Sequence, residues 1–257
     1  MPEIRVRRDG HVGTVTVSNP DKFNAMTVAM WQDLTRVIEE LDADAGISVI
    51  VLTGEGTQAF VSGADISQFE SQRGDAEAQQ RYGDIYDAAY LAPVRAGKPV
   101  IAKIRGICMG GGLGLAAGCD LRICASDARF RMPAARLGLG YKPAGVERFI
   151  ALIGVQDTLD IFLSARVFGA EEALRMGFVS RVVAPEELDR AVGELVGNMA
   201  DNAPLTMKAV KLSVNAFLGT ALREEAEAAA GAANASEDYR EGVRAFGEKR
   251  KPVFRGR

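Results

Sequence analysis

"MGGGLGLAAGCD" (Met109–Asp120) decides how this chain is read; five of its twelve residues are glycine, and it follows the apolar run "PVIAKI". A buried strand, a glycine cluster and a short apolar helix in that order expose backbone N–H groups at the helix start. Those groups have no intrahelical partner, and the helix dipole adds partial positive charge to them. Two kinds of ligand fit such a place. Gly112-x-Gly114-x-x-Ala117 matches the dinucleotide fingerprint G-x-G-x-x-G/A behind a strand. Against it, the helix is short before Gly118, and the next strand, "DLRICAS" (120–126), ends without a clear acid for a ribose, Asp127 being the nearest. The second reading is an oxyanion hole, which needs another N–H aimed at the same oxygen. "VSGADI" (61–66) is a second glycine turn and supplies the candidate. Either turn alone also reads as a mere tight turn; the two together favour the hole, in which losing one donor raises a barrier by about 2.7–4 kcal/mol.

On either side of this stretch, strand and helix patterns alternate. "EIRVRRDGHVGTVTVS" predicts two strands around Asp9-Gly10, and "NPDKFNAM" (19–26) a loop. Thr27 is placed to cap a helix over "VAMWQDLTRVIEELDAD", with Met30, Leu34, Val37, Ile38 and Leu41 on one stripe. "ISVIVLTG" (47–54) and "VIAKIRG" (100–106) read as buried strands. Residues 55–70 read as irregular, and "RGDAEAQQRYGDIYDAAYLAPVRA" as a moderately polar helix. Residues 129–150 read as loop up to a helix from about Ala144; beyond Val155 the pattern is helical, interrupted by one strand, "FVSRVV" (178–183). No internal repeat is visible. This alternation predicts a largely parallel α/β core followed by a helical C-terminal cap.

Composition narrows the function classes. The chain has 257 residues, 47% of them apolar, so a sizeable core is available in one large domain or two small ones. A net charge of −3 leaves no nucleic-acid footprint. Cys108, Cys119 and Cys124 are odd in number, sit among apolar residues and form no CxxC or His/Cys cluster, so they read as buried reduced thiols rather than zinc ligands or disulfides. The single histidine, His11, falls in a turn, so no metal site made of histidines alone is expected and a Ser-His-Asp triad would have to use His11. The first residues lack an apolar signal core, and no run of about 18 apolar residues occurs, so neither a leader nor a membrane span is expected. A cytoplasmic location fits these features.

Four separated motifs together resemble the enoyl-CoA hydratase/isomerase (crotonase) superfamily: "NPDKFNAM", "IVLTG…AFVSGADI", "KPVIAKIRGICMGGGLGLAAGCDLRICASDARFRMPAARLGLG" and "SEDYREGVRAFGEKRKPVF". They occur in the family's order over nearly the whole chain. The resemblance implies an α/β crotonase (ClpP-like) spiral of repeated ββα units with a helical C-terminal trimerisation region. The core with its acyl-CoA site would occupy residues 1–195 and the oligomerisation region residues 196–257, in a homotrimer or a dimer of trimers. No cofactor is implied beyond the coenzyme A of the thioester substrate. The oxyanion hole would fall on the N–H groups of Ala64 and Gly111. Lys22, Asn24 and Ala25 would lie near the adenine and phosphates, and Asp65, Ile66, Gly110, Ala134 and Lys142 would be further substrate- or CoA-binding residues. Phe246 and Lys249 match positions at which a neighbouring subunit completes the CoA site; the tail "EKRKPVFRGR" reads equally as a solvated end.

The chain departs from the family's hydratases at two positions. Two glutamates add water across the enoyl bond in those enzymes; the matching residues here are Gly114 and Ala134, which carry no proton. Tyr141, Lys142 and Glu147 are the residues able to compensate. Tyr141 either orients a polar acyl group or is a packed tyrosine with its hydroxyl satisfied. Lys142 is either a cation for an acidic acyl tail or a loop lysine, and Glu147 reads as a helix-capping or charge-pairing residue. Arg131 and Arg136 read as pocket charges or plain surface arginines, and Asp65 as a turn or cap residue. The resemblance also reaches, in part, the methylmalonyl-CoA decarboxylase branch, which lacks both glutamates and has a tyrosine where Tyr141 falls, but a histidine where this chain has Ala64. Three readings therefore stand: an enolate-stabilising acyl-CoA enzyme, a decarboxylase of a malonyl-type CoA, and a non-catalytic acyl-CoA binder.

Overall fold

Three strand–strand–helix units follow one another and stack in parallel. The structure, a computed structural model, describes residues 1–65 and 76–257. An N-terminal hairpin, β1 (Glu3–Asp9) and β2 (Val12–Ser18), turns at Gly10, whose φ of +54° suits glycine. The Val28–Ala43 helix follows, capped by the Thr27 hydroxyl, which accepts from Met30 N at 3.2 Å. The first unit is β3 (Val49–Gly54), β4 (Ala59–Val61) and the Ala76–Arg95 helix. The second is β5 (Val100–Ile104), β6 (Ile107–Met109) and the Gly111–Gly118 helix; the third is β7 (Leu121–Ala125), β8 (Arg129–Arg131) and the Pro143–Ser164 helix. β9 (Val167–Gly169) and β10 (Arg181–Val183) flank a short helix, Ala170–Met176.

The first strand of each unit enters one sheet and the second strand enters the other. Among the described residues the larger sheet runs β1-β2-β3-β5-β7-β10 and the smaller β4-β6-β8-β9; only the β1/β2 and β8/β9 pairs are antiparallel. Registers such as Ile50 opposite Val100 and Ile107 opposite Arg129 keep the units in step. The expected spiral of ββα units is therefore what the chain forms. Both faces of the larger sheet are covered, as parallel strands require. Ile50, Leu52, Val100 and Ala102 point into the main core with Trp31 and Leu34. Their neighbours Val49, Val51 and Ile101 point the other way, under Leu188, Val192 and Val196 of the Leu188–Ala200 helix.

Several elements differ from the sequence reading. β4 lies inside the stretch read as irregular, β6 between the expected strand and the glycine run, and β8 inside the expected loop. Each spans three residues, too short for an alternating pattern to show. The Pro143–Ser164 helix is bent at Gly154, where φ is +75°. The helices Pro204–Phe217 and Arg223–Ala235 pack together, and Ser236 caps a last helix, Glu237–Gly247. The tail after it is largely exposed, as a solvated end would be, but it is tied down. Glu241 accepts from Arg250 and Val253, the Asp238 carboxylate accepts from Arg255 N and Gly256 N, and Glu237 N donates to Arg257 O. No helix among the described residues is long and apolar enough to cross a membrane.

Candidate functional site

Gly63 and Gly110 bring the two glycine turns against each other. A methyl group on Gly63 would lie 3.4 Å from Met109 O and 3.5 Å from Gly111 N, and both residues have positive φ (+119° and +51°). Ala64 forms a parallel bridge with Met26: Met26 N donates to Gly63 O at 2.8 Å, and Asp65 N to Met26 O at 2.9 Å. In a trans peptide the N–H points opposite to the preceding C=O, so the Ala64 N–H aims away from Met26. Gly110 O accepts from Gly114 N at 3.1 Å, so the Gly111 N–H aims out of the helix start by the same argument. Neither N–H has a hydrogen-bond acceptor among the described residues.

The far end of the Gly111–Gly118 helix is closed by two arginines. Arg122 donates to Ala116 O, Cys119 O and Phe178 O, and Arg148 to Ala117 O and Cys119 O. Burial holds both below the ordinary arginine value, Arg122 at about 10. These cations satisfy the carbonyls at the negative end of the helix and leave its positive end to the turn. Gly112 fits tightly beside β4: a methyl group there would stand 2.0 Å from Val61 O. It is packed against protein and not held open for a pyrophosphate, which removes the dinucleotide reading.

Ala64, Gly110, Gly111, Ala134, Tyr141 and Lys142 all line one cavity of about 470 Å³, within the roughly 300–1,000 Å³ of small-molecule sites. Another wall is the Ala76–Arg95 helix, whose Tyr82, Tyr86 and Tyr90 sit four residues apart on one face. Tyr90 Oη donates to Tyr86 Oη at 2.5 Å. Trp31 packs edge-on behind Tyr86, with ring centroids 4.8 Å apart. By composition this helix is moderately polar; the i, i+4, i+8 spacing of its tyrosines is the sequence signal for the wall they build. Burial, followed by the neighbouring Tyr141 and Tyr86, raises the Tyr90 pKa well above the ordinary 10.0, and burial raises Tyr141. Tyr141 Oη is close enough to Tyr90 for the two to influence each other's ionisation, yet has no hydrogen-bond partner by distance and angle.

The other sequence candidates separate into groups. Asn24 is buried and fully engaged: its amide donates to Glu55 O and Ala59 O and its oxygen accepts from Asn19 N. It fastens the 19–26 loop. Ala25 O accepts from the Asn19 amide, and Lys22 Nζ stands 2.8 Å from the buried Asp65 carboxylate. Ile66 lies outside the described residues. Lys142 is paired with Asp87 at the cavity edge, and that hydrogen bond raises its pKa. Glu147 lines the cavity, lies beyond the first turn of its helix, and neither caps that helix nor pairs with a charge among the described residues. Arg131 donates to Ala165 O, Arg136 is exposed, and His11 bonds to Gly46 O. The three cysteines are buried, and burial drives their thiols well up, Cys119 and Cys124 to about 12. Phe246 and Lys249 are exposed and do not line this protomer's cavity.

A ββα spiral whose glycine helix opens onto an apolar cleft defines a crotonase-fold enzyme. The chain belongs to the enoyl-CoA hydratase/isomerase family, whose model matches residues 7–257. It is 33% identical to the short-chain-enoyl-CoA hydratase of Clostridium acetobutylicum, over 98% of this chain and 97% of that one. It is 32% identical to the crotonyl-CoA hydratase of Syntrophomonas wolfei, again over 98% and 97%. The crystal structure of an enoyl-CoA hydratase/carnithine racemase from Magnetospirillum magneticum superposes with a TM-score of 0.94 at 34% identity, covering 100% of this chain and 97% of that one.

Proposed function

We propose that this enzyme acts on an acyl-CoA thioester by stabilising a thioester enolate. The observation that carries this reading is the pair of N–H groups, Ala64 and Gly111, on facing turns at the wall of one cavity. The thioester oxygen lies between them and gains charge as the enolate forms, so both bonds strengthen in the transition state. The acyl group extends past Gly110, Ala134 and Lys142. The CoA moiety follows Lys22, Asn24, Ala25, Asp65 and Ile66, with Asn24 acting through the shape of its loop. Phe246 and Lys249 complete the CoA site of a neighbouring subunit. The unit comprising residues 1–195 carries the site, and residues 196–257 hold a homotrimer or a dimer of trimers together. Coenzyme A enters as part of the substrate, with no separate cofactor.

The acid–base group is not the family's glutamate pair, since Gly114 and Ala134 carry no proton. Tyr141, with a bound water, takes that part. Relatives named for short-chain enoyl and crotonyl thioesters make crotonyl-CoA the first substrate to test. Loss of the conjugated thioester absorbance on incubation with crotonyl-CoA is the expected result; no turnover removes the hydratase form of the proposal. Ala64→Pro deletes one donor, and kcat should fall by about 100- to 1,000-fold with CoA affinity nearly kept; an unchanged kcat removes Ala64 from the hole.

A second reading is favoured by one feature, the tyrosine ring packed where a carboxylate at position 114 would stand. Decarboxylation of a malonyl-type CoA needs no such base, because loss of CO₂ itself delivers electrons to the thioester. Release of CO₂ from methylmalonyl-CoA without hydration of crotonyl-CoA selects it. CoA affinity with no turnover over a broad thioester panel selects a non-catalytic binder instead.

A further inference from the structure

This inference rests on the acyl-CoA reading above and concerns which acyl groups the cavity takes. We propose that a wall of tyrosine hydroxyls, built by Tyr86, Tyr90 and Tyr141, selects thioesters whose acyl group carries a hydrogen-bond-accepting oxygen over those with a plain alkyl group. The three rings line the same cavity as Ala64 and Gly111. Tyr86 and Tyr90 are pressed against the glycine helix. A methyl group on Gly111 would stand 2.3 Å from Tyr86 Oη, and one on Gly114 would stand 2.7–2.8 Å from Tyr90 Cζ, Cε1 and Oη. Glycine at these positions is what admits the rings, and the phenol of Tyr90 fills the space that any side chain at 114 would need.

The hydroxyls are not equivalent. Tyr90 gives its proton to Tyr86 Oη. Tyr141 Oη is buried and has no hydrogen-bond partner among the described residues. Its ring is held edge-on by Phe162 at 5.1 Å between centroids, and Gly145 leaves room for it, a methyl group there lying 3.0 Å from the ring. The hydroxyl is thus placed by packing, at the cavity wall and beside Tyr90. Buried hydroxyls in folded proteins are nearly always hydrogen-bonded. A fixed phenol without an acceptor suits a ligand that brings one. The phenol proton needs an acceptor, which a ketone, hydroxyl or carboxylate oxygen of the acyl group supplies. An alkyl acyl group leaves that buried phenol without a partner, whereas one bearing an acceptor oxygen supplies it, which is how a site built around a hydrogen bond discriminates.

The test is calorimetric binding of three thioesters to the full-length protein: butyryl-CoA, 3-oxobutyryl-CoA and malonyl-CoA. The expected result is a Kd about 3- to 10-fold lower for at least one oxygen-bearing thioester than for butyryl-CoA. Which of the two is preferred distinguishes a ketone from a carboxylate. Tyr141→Phe should erase that preference, bringing the three Kd values together. Tyr90→Phe keeps the ring over Gly114, removes the hydroxyl bonded to Tyr86 beside the Tyr141 phenol and should reduce the preference. Equal affinities in the wild type overturn the proposal and leave the acyl-CoA reading standing, as does a preference that survives both variants. Failure of all three thioesters to bind overturns the acyl-CoA reading and this proposal together.

Discussion

Gly114 is informative because of what stands next to it. In an exposed helix, glycine to alanine gains about 1 kcal/mol of helix propensity. Here the added methyl group would meet the Tyr90 ring at 2.7 Å. Overpacking of that kind costs about 1–3 kcal/mol, so Gly114→Ala should lower stability in urea despite the better propensity. In a Tyr90→Ala background the collision is gone and the same substitution should stabilise; equal effects in both backgrounds would separate the two residues. The hydroxyls also make a pH prediction. Burial keeps Tyr90 and Tyr141 protonated to values above the ordinary 10.0. Any discrimination they provide should therefore be constant from about pH 6 to 9. Because their native pKa values are raised, the stability they contribute is fully present below about pH 10 and is lost above it, as the unfolded chain releases protons that the native one retains. A discrimination ratio that falls between pH 6 and 9 would assign it to other groups. The two glycine turns were legible in the sequence because glycine turns announce themselves; Ala64, Gly111 and Gly114 were singled out within them by the family resemblance. The tyrosines were not, because Asp, Gln and Arg between them make the 76–95 helix look polar, and their alignment over the glycines exists only after folding.

The elements that carry the site are of two kinds. Strands of five to seven residues, such as β2, β5 and β7, were readable from their apolar runs. The three-residue strands of the smaller sheet were not, although they set the geometry: β4 and β6 deliver Gly63 and Gly110 to adjacent positions. The repetition of ββα units was invisible for a related reason, since each unit keeps its backbone course while its side chains differ. The glycine helix depends on its far end as well as its start. Its buried carbonyls lean on Arg148 and Arg122, and Ala117 O has Arg148 Nε as its side-chain donor at 2.8 Å. Arg148→Met preserves the stem and removes the donor, so stability should fall by about 2 kcal/mol in urea unfolding. These bonds run to buried carbonyls, so the loss should be nearly the same at low and high salt. A loss that shrinks sharply in salt would mark Arg148 as an ordinary surface charge.

At the scale of the whole molecule, the C-terminal helices leave apolar side chains uncovered. Val210, Val214 and Phe217 form a stripe along the Pro204–Phe217 helix, and Phe246 and Val243 stand out from the last one; Phe217 and Phe246 are each 88% exposed. In the proposed assembly this stripe is the surface that a neighbouring chain would cover. The tail makes the same point differently. Asp238 and Glu241 bind the returning residues 250–256, which holds the last helix in a fixed pose and so fixes where Phe246 and Lys249 project. If those two residues complete a neighbour's CoA site, assembly and CoA affinity must fall together. Sedimentation of the wild type should give three or six times the 27.4 kDa of one chain. Val214→Asp with Phe217→Asp places two charges on the stripe and should lower that mass, with the far-ultraviolet circular dichroism unchanged and CoA bound more weakly. Phe246→Ala should weaken CoA while leaving the mass intact. A wild-type monomer that binds CoA as tightly as either variant would break the link between the helical region and the site.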